Sequence, residues 1–176
     1  MLRGGSLIAL VGALALSVGG VAAASGSSSA SLTRDTSLEG MVLREVNAVR
    51  AAHGVRPLTL SAALSRAADG HSRSMAILGF FAHESRNGAS FPERVKRFYV
   101  GSSRSWTVGE NLAMFGGITP DAHGIVNAWM GSPGHRANML RGNYRDAGIS
   151  IVHHPTAGGV FGGRSTWVIT LDFGRR

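Results

Sequence analysis

The stretch from Ser165 to Phe173 reads as two faces of alternate residues. Trp167, Ile169, Leu171 and Phe173 fall on one face, and Thr166, Val168, Thr170 and Asp172 fall on the other. Period-two alternation is the mark of a β-strand, because successive side chains leave opposite faces of the pleat. Asp146 to His153 alternates in the same manner, and Pro155 to Gly163 is the glycine-rich link of a hairpin. Upstream of this pair the apolar residues recur with helical spacing instead. A chain that lays down helices first and antiparallel strands last buries both by stacking helices on a sheet, so the fold class expected is α+β. There is no internal repeat.

The helical half is punctuated by its own caps. Thr36-x-x-Glu39 reads as a capping box, followed by Leu38, Met41, Val42, Val46 and Val49 at helical spacing and a stop at Gly54. Pro57 to Leu60 is a short extended link. Ser61 caps a second helix whose inner face is Leu64, Ala67, Ala68, His71, Met75 and Leu78, and Gly79 ends it. Ser90-x-x-Glu93 is another capping box, with Pro92 tolerated in the first turn of a helix running through Phe98. Thr107 to Phe115 is extended or irregular. Thr119-Pro120-Asp121 opens a fourth helix with Ile125, Val126, Trp129 and Met130 inward, and Ser132-Pro133 starts a short turn through Leu140.

The ends and the charge bound the class. Arg3, the apolar run Leu7 to Val18 and the small residues Ala22-Ala23-Ala24 form a secretory signal peptide, 1–24, with an uncleaved anchor as the alternative. Residues 25–37 are serine-rich and read as a flexible linker, leaving 38–176 as one domain with one core. A secreted location and no transmembrane anchor after cleavage follow. The chain has no cysteine, so it must hold together by packing alone. Its formal charge is +8, yet the basic residues are scattered and no aromatics interleave with them, which argues against nucleic acid. The acidic partner of an exported chain would be an envelope polymer or lipid headgroup; a plain solvated basic surface is the other reading. A monomer is expected.

Three phrases carry the chemistry: Phe80-Phe81-Ala82-His83-Glu84-Ser85, Gly109-Glu110-Asn111-Leu112-Ala113, and Trp129-Met130-Gly131-Ser132-Pro133-Gly134-His135-Arg136-Ala137-Asn138. Each sets an ionisable side chain among apolar residues and glycines. His135, in the first turn of a helix, is disfavoured as a cation and keeps a lone pair free. Glu110 needs a partner if buried, and a histidine would serve. Two imidazoles, His83 and His135, make an incomplete metal site, since catalytic zinc normally has three protein ligands. With Glu110 orienting an imidazole from behind, the trio could bind Zn²⁺ weakly. No H-E-x-x-H occurs, and Ser132 misses the nucleophile elbow and reads as a helix cap. His71 reads as core, Glu84 as solvent-facing, and Asn111 and Asn138 as bonding backbone within their own turns.

In their order, these phrases resemble the CAP superfamily: cysteine-rich secretory, antigen-5 and pathogenesis-related proteins, here a cysteine-free bacterial branch. Leu43-Arg44-Glu45-Val46-Asn47, Arg56-Pro57-Leu58, Ala67 to Met75 and Asp146-Ala147-Gly148-Ile149 extend the resemblance over Leu38 to Phe173. It implies an α-β-α sandwich around a small antiparallel sheet, with a cleft of two histidines and two acids. His83 and His135 match the histidines and Glu110 the first acid. The second acid falls at Ser132, so one member of the constellation is absent. The expected function is therefore binding of a divalent cation or a small polar or lipid ligand by His83, Glu110 and His135. The alternatives are a metal-dependent peptidase or cell-wall hydrolase, and an envelope binder acting through the basic surface.

Overall fold

The computed structural model describes residues 31–176. The expected leader, 1–24, and residues 25–30 of the expected linker lie outside the described residues. The elements in chain order are β1 (Thr33–Arg34), α1 (Thr36–Ala52), β2 (Thr59–Leu60), α2 (Ala62–Leu78), α3 (Phe91–Tyr99), β3 (Thr107–Gly116), α4 (Ala122–Met130), α5 (Pro133–Met139), β4 (Asp146–Ala157) and β5 (Arg164–Arg175). The strands form one sheet in the order β1-β4-β5-β3, antiparallel throughout except that β2 runs parallel beside β4.

The alternation of β5 explains its place inside the sheet. Its apolar face meets α1, α4 and α5, where Ile169, Leu171 and Phe173 pack with Val42, Val46, Ile125, Trp129 and Met139. Its more polar face is covered as well. Val168 meets Met75 of α2, and Thr170 accepts a 2.8 Å hydrogen bond from the buried Ser72 hydroxyl. Leu64 and Ala67 of α2 go on to pack against Val95 and Tyr99 of α3. Helices therefore cover both faces, giving the α-β-α sandwich. Each fully buried Val, Leu or Ile adds about 1.5–3 kcal/mol of transfer free energy, and that packing stands in for disulfides.

Gly148 sets how closely α2 lies on the sheet. A Cβ there would sit 2.1 Å from the Leu64 carbonyl carbon and 2.2 Å from the Ser65 nitrogen, both backbone atoms. Only glycine allows that approach.

Several local expectations need correction. The ordered domain starts before residue 38: Thr33 and Arg34 pair with His153 and Val152 of β4, so 33–37 are part of the fold rather than linker. The Thr36 capping box does not form. Asp35 is the N-cap and accepts from the Leu38 amide at 2.9 Å. Glu39 is turned inward instead, where it accepts from Arg34 Nε (2.6 Å), Arg34 Nη2 (2.9 Å) and the Ile151 amide (3.0 Å). A buried carboxylate with three donors is better satisfied there than in a solvent-facing box. Met41 and Leu78 are exposed, because each lies at the margin of its helix's apolar stripe. Ser132 occupies the N-cap position of α5 but makes no side-chain cap bond. The link after β4 is shorter than expected, since the strand runs on to Ala157 past an irregularity and a 3₁₀ turn, Gly159–Phe161, follows.

Candidate functional site

The site is built around β3, which pairs only with β5 and leaves its other edge facing α4 and α5. Two carbonyls on that edge are taken by helix side chains: Asn138 Nδ2 donates to the Glu110 carbonyl (3.1 Å), and Trp129 Nε1 donates to the Leu112 carbonyl (3.0 Å). Asn111 Nδ2 donates to the His135 carbonyl (3.1 Å), and Asn138 Nδ2 also reaches Asn111 Oδ1 (3.0 Å). The two asparagines thus fasten α5 to β3, rather than bonding within their own turns as the sequence suggested.

Glu110 is the centre. Its side chain is completely buried. Oε1 meets His83 Nδ1 at 2.8 Å, and Oε2 accepts from Arg94 Nη2. Arg94, reaching in from α3, also donates through Nη1 to the His83 carbonyl and to Ser85 Oγ, both at 3.0 Å. One guanidinium therefore neutralises the buried carboxylate and pins the loop that carries His83. The His83 side chain is 45% exposed and tilts against Phe91. With Nδ1 committed to Glu110, its remaining nitrogen, Nε2, is the one free to act as a ligand. The hydrogen bond to Glu110 raises the His83 pKa above the usual histidine value, against a smaller opposing effect of burial.

Asp172 is the register partner of Glu110 across β3 and β5, so the two carboxyl groups share one face. It is fully buried, and no donor reaches either of its oxygens. Burial first, and then the negative charge of Glu110, push its pKa well up, with Arg94 opposing. The structure therefore holds a second acid beside Glu110, in a place different from the one the resemblance suggested at Ser132.

His135 lies near the start of α5, three residues before Asn138. Burial, and secondarily the charge of nearby His83, lower its pKa, so it stays neutral near pH 7 with a lone pair available. The open cleft in front of Glu110 has a volume of about 420 Å³ and is lined by His83, Phe91, Asn138, Arg141 and Tyr144 among others. His135 is not part of that lining. Of the three expected residues, His83 and Glu110 are in direct contact, and His135 stands beside them. Gly109 matters here, since a Cβ would fall 2.3 Å from the Tyr144 hydroxyl.

Among the described residues, no three histidine, cysteine or acidic side chains are grouped to hold a metal ion. Two neutral imidazoles are fewer protein donors than a catalytic zinc site normally has.

Residues 43–172 match the model of the cysteine-rich secretory protein family, CAP. The chain belongs to the CAP family. Over 114 residues, or 65% of its length, it is 35% identical to the protein YkwD of Bacillus subtilis (strain 168), of which it covers 42%. It is 28% identical over 116 residues to the membrane protein YlbC of the same organism, covering 32% of it. The chain thus spans less than half of these relatives. An extracellular protein containing a SCP domain, from Bacillus anthracis str. Ames, superposes with a TM-score of 0.60 at 25% identity, over 78% of this chain and 40% of that one. An outer surface protein of Borrelia burgdorferi gives the same TM-score at 16% identity over 82% and 98%, a likeness of fold alone. No helix among the described residues is long and apolar enough to cross a membrane.

His71 is core, as the sequence suggested: it is buried, with Nε2 at 2.8 Å from the Ala82 carbonyl. Sequence reasoning missed Arg94 and Asp172. Arg94 did carry a signal, an arginine beside Val95 on the inner side of α3. Asp172 carried none without the strand register.

Proposed function

We propose that this CAP protein works outside the cytoplasm by binding, and holds a divalent cation or a small polar or lipid ligand at the cleft beside β3. His83 and His135 are the donors, and Glu110 positions His83 from behind. The observation that carries this reading is the state of Glu110. Both of its oxygens are engaged, by His83 and Arg94, and its side chain has no exposed surface. A general base must reach water or substrate, and the Glu110 side chain has no exposed surface from which to do so. Asp172 is fully buried too, so it does not reach water or substrate either. A carboxylate bonded to the far nitrogen of an imidazole is the usual way of holding that ring for a metal. Export is supported by the leader pattern and by solved relatives described as extracellular or outer surface proteins.

Calorimetric titration with Zn²⁺ tests the reading. Wild type should give saturable heat, and His83→Ala and His135→Ala should each bind at least about tenfold more weakly. Glu110→Gln should lose about 10–100-fold in affinity, as expected for a ring-orienting partner. Absence of heat in wild type, or equal heat in both histidine variants, would exclude the cation. Turnover of peptides or peptidoglycan that disappears in a folded Glu110→Gln protein would replace binding with hydrolysis.

A further inference from the structure

A second cavity, of about 360 Å³, opens on the other side of Arg94, between α2 and the stretch from Ser85 to Phe98. Its wall includes three arginines, Arg86, Arg94 and Arg97, together with Ser74, Ser85 and Asn87. No lining residue is acidic. The carboxylates nearby are committed elsewhere. Glu93 accepts from the Ser90 amide and hydroxyl at 2.9 and 2.8 Å, and Asp69 pairs with Arg73 at 3.0 Å. Glu110 lies on the cleft side of Arg94.

The three guanidinium groups are not equivalent. Arg94 is the buried one, 8% exposed, and its Nε has no hydrogen-bond partner. Arg86 lies over the Phe80 ring, 5.9 Å from its centroid, an arrangement that occupies the face of the guanidinium and leaves its in-plane N–H groups available. Neither Arg86 nor Arg97 forms an ion pair among the described residues. Glu110 balances the Arg94 charge, whereas Arg86 and Arg97 bring two further guanidinium groups beside hydroxyl and amide donors with no acidic side chain in the lining, an arrangement suited to an anion.

We infer that this cavity binds a small phosphate ester, with Arg86 and Arg97 closing on the phosphoryl oxygens above Arg94. A dianionic phosphate matches a cluster of arginines better than a single carboxylate does, and planar guanidinium forks suit its oxygens. The volume exceeds that of a bare phosphate and lies within the range of small-molecule sites, so the phosphate arrives on a modest polar body. That body is a free metabolite-sized monoester or the glycerol end of phosphatidic acid, the phospholipid whose phosphate is also a monoester. The site is separate from the His83 cleft and does not depend on a cation there.

The test is an amide-shift titration of the full chain with methyl phosphate. Saturable shifts are expected at Ser85, Arg86, Asn87 and Arg97. Arg86→Ala/Arg97→Ala should weaken binding by at least tenfold, while Arg104→Ala/Arg175→Ala, two exposed arginines off the cavity, should change it less than twofold. Vesicles of phosphatidic acid in phosphatidylcholine identify the source. Competition that requires Arg86 and Arg97 assigns a lipid headgroup, and methyl phosphate binding without vesicle binding assigns a soluble ester. Three results would overturn the inference: no saturable shift at those amides, unchanged affinity in the cavity variant, or an equal loss in the control variant, which would reduce the effect to diffuse surface charge.

Discussion

Arg94 holds more of the site than any residue that the sequence motifs contain. It neutralises Glu110, fixes the His83 loop through two further bonds, and is the cation next to Asp172. Truncating one partner of a buried ion pair strands the other, at about 3–5 kcal/mol. Arg94→Ala should therefore lower the stability to urea by that order. The two histidines give opposite pH dependences. His83 has a raised folded pKa, so its bond to Glu110 contributes fully below the ordinary value of 6.5 and fades as pH rises through the raised value. His135 has a lowered pKa, so it costs stability only as pH falls below 6.5 toward that lowered value. Cation binding needs both rings neutral. Zinc affinity measured against pH should accordingly start to fall above 6.5, where His83 begins to protonate, rather than near 6. The three motif residues were legible because each sits in an apolar phrase where an ionisable group is out of place. Their partners were not. Arg94 showed only its place beside Val95 on the inner side of a short helix, with nothing to name its partner, and Asp172 looks like the polar alternate of a strand.

At the level of elements, the helix and strand periods predicted a layered α+β fold, because long apolar patterns reflect which faces are covered, and the family resemblance supplied the sandwich. The misreadings cluster where two elements meet. The asparagines were assigned to their own turns, yet they join α5 to β3, a contact between residues 27 apart for Asn138 and Asn111. The contact of α2 with β4 is another case, since nothing near Gly148 in sequence reveals that Leu64 and Ser65 lie against it. Gly148→Ala should cost at least the upper part of the usual overpacking range, about 1–3 kcal/mol, because backbone rather than a flexible side chain must move. Thermal unfolding of this variant beside Gly70→Ala, where a Cβ meets nothing within 4 Å, isolates the effect. An equal midpoint for the two would contradict the close packing.

The whole molecule closes its N-terminal border with charge as well as backbone. Arg34 comes from the first strand, Glu39 from the first helix, and the Ile151 amide from the central part of the sheet, and all three meet in one buried cluster. Arg34→Ala should release the start of the domain and leave Glu39 short of donors, which faster hydrogen exchange at Ile151 would report. The expected linker boundary missed this, because a serine-rich approach conceals a two-residue strand that pairs with residues more than a hundred positions away.

The opposite border is β3, and there the site-building contacts have another consequence. An exposed edge strand is a template on which a second copy can add its own strand. Asn138 and Trp129 occupy the carbonyls of Glu110 and Leu112, alternate residues on that edge. The side chains that hold the cleft together are thus the ones that keep these molecules from joining sheet to sheet. Asn138→Ala/Trp129→Phe should remain folded yet self-associate as concentration rises, visible in light scattering and suppressed by a short peptide copy of β5. In this chain the bonds that shape the pocket and the bonds that close the sheet edge are the same two.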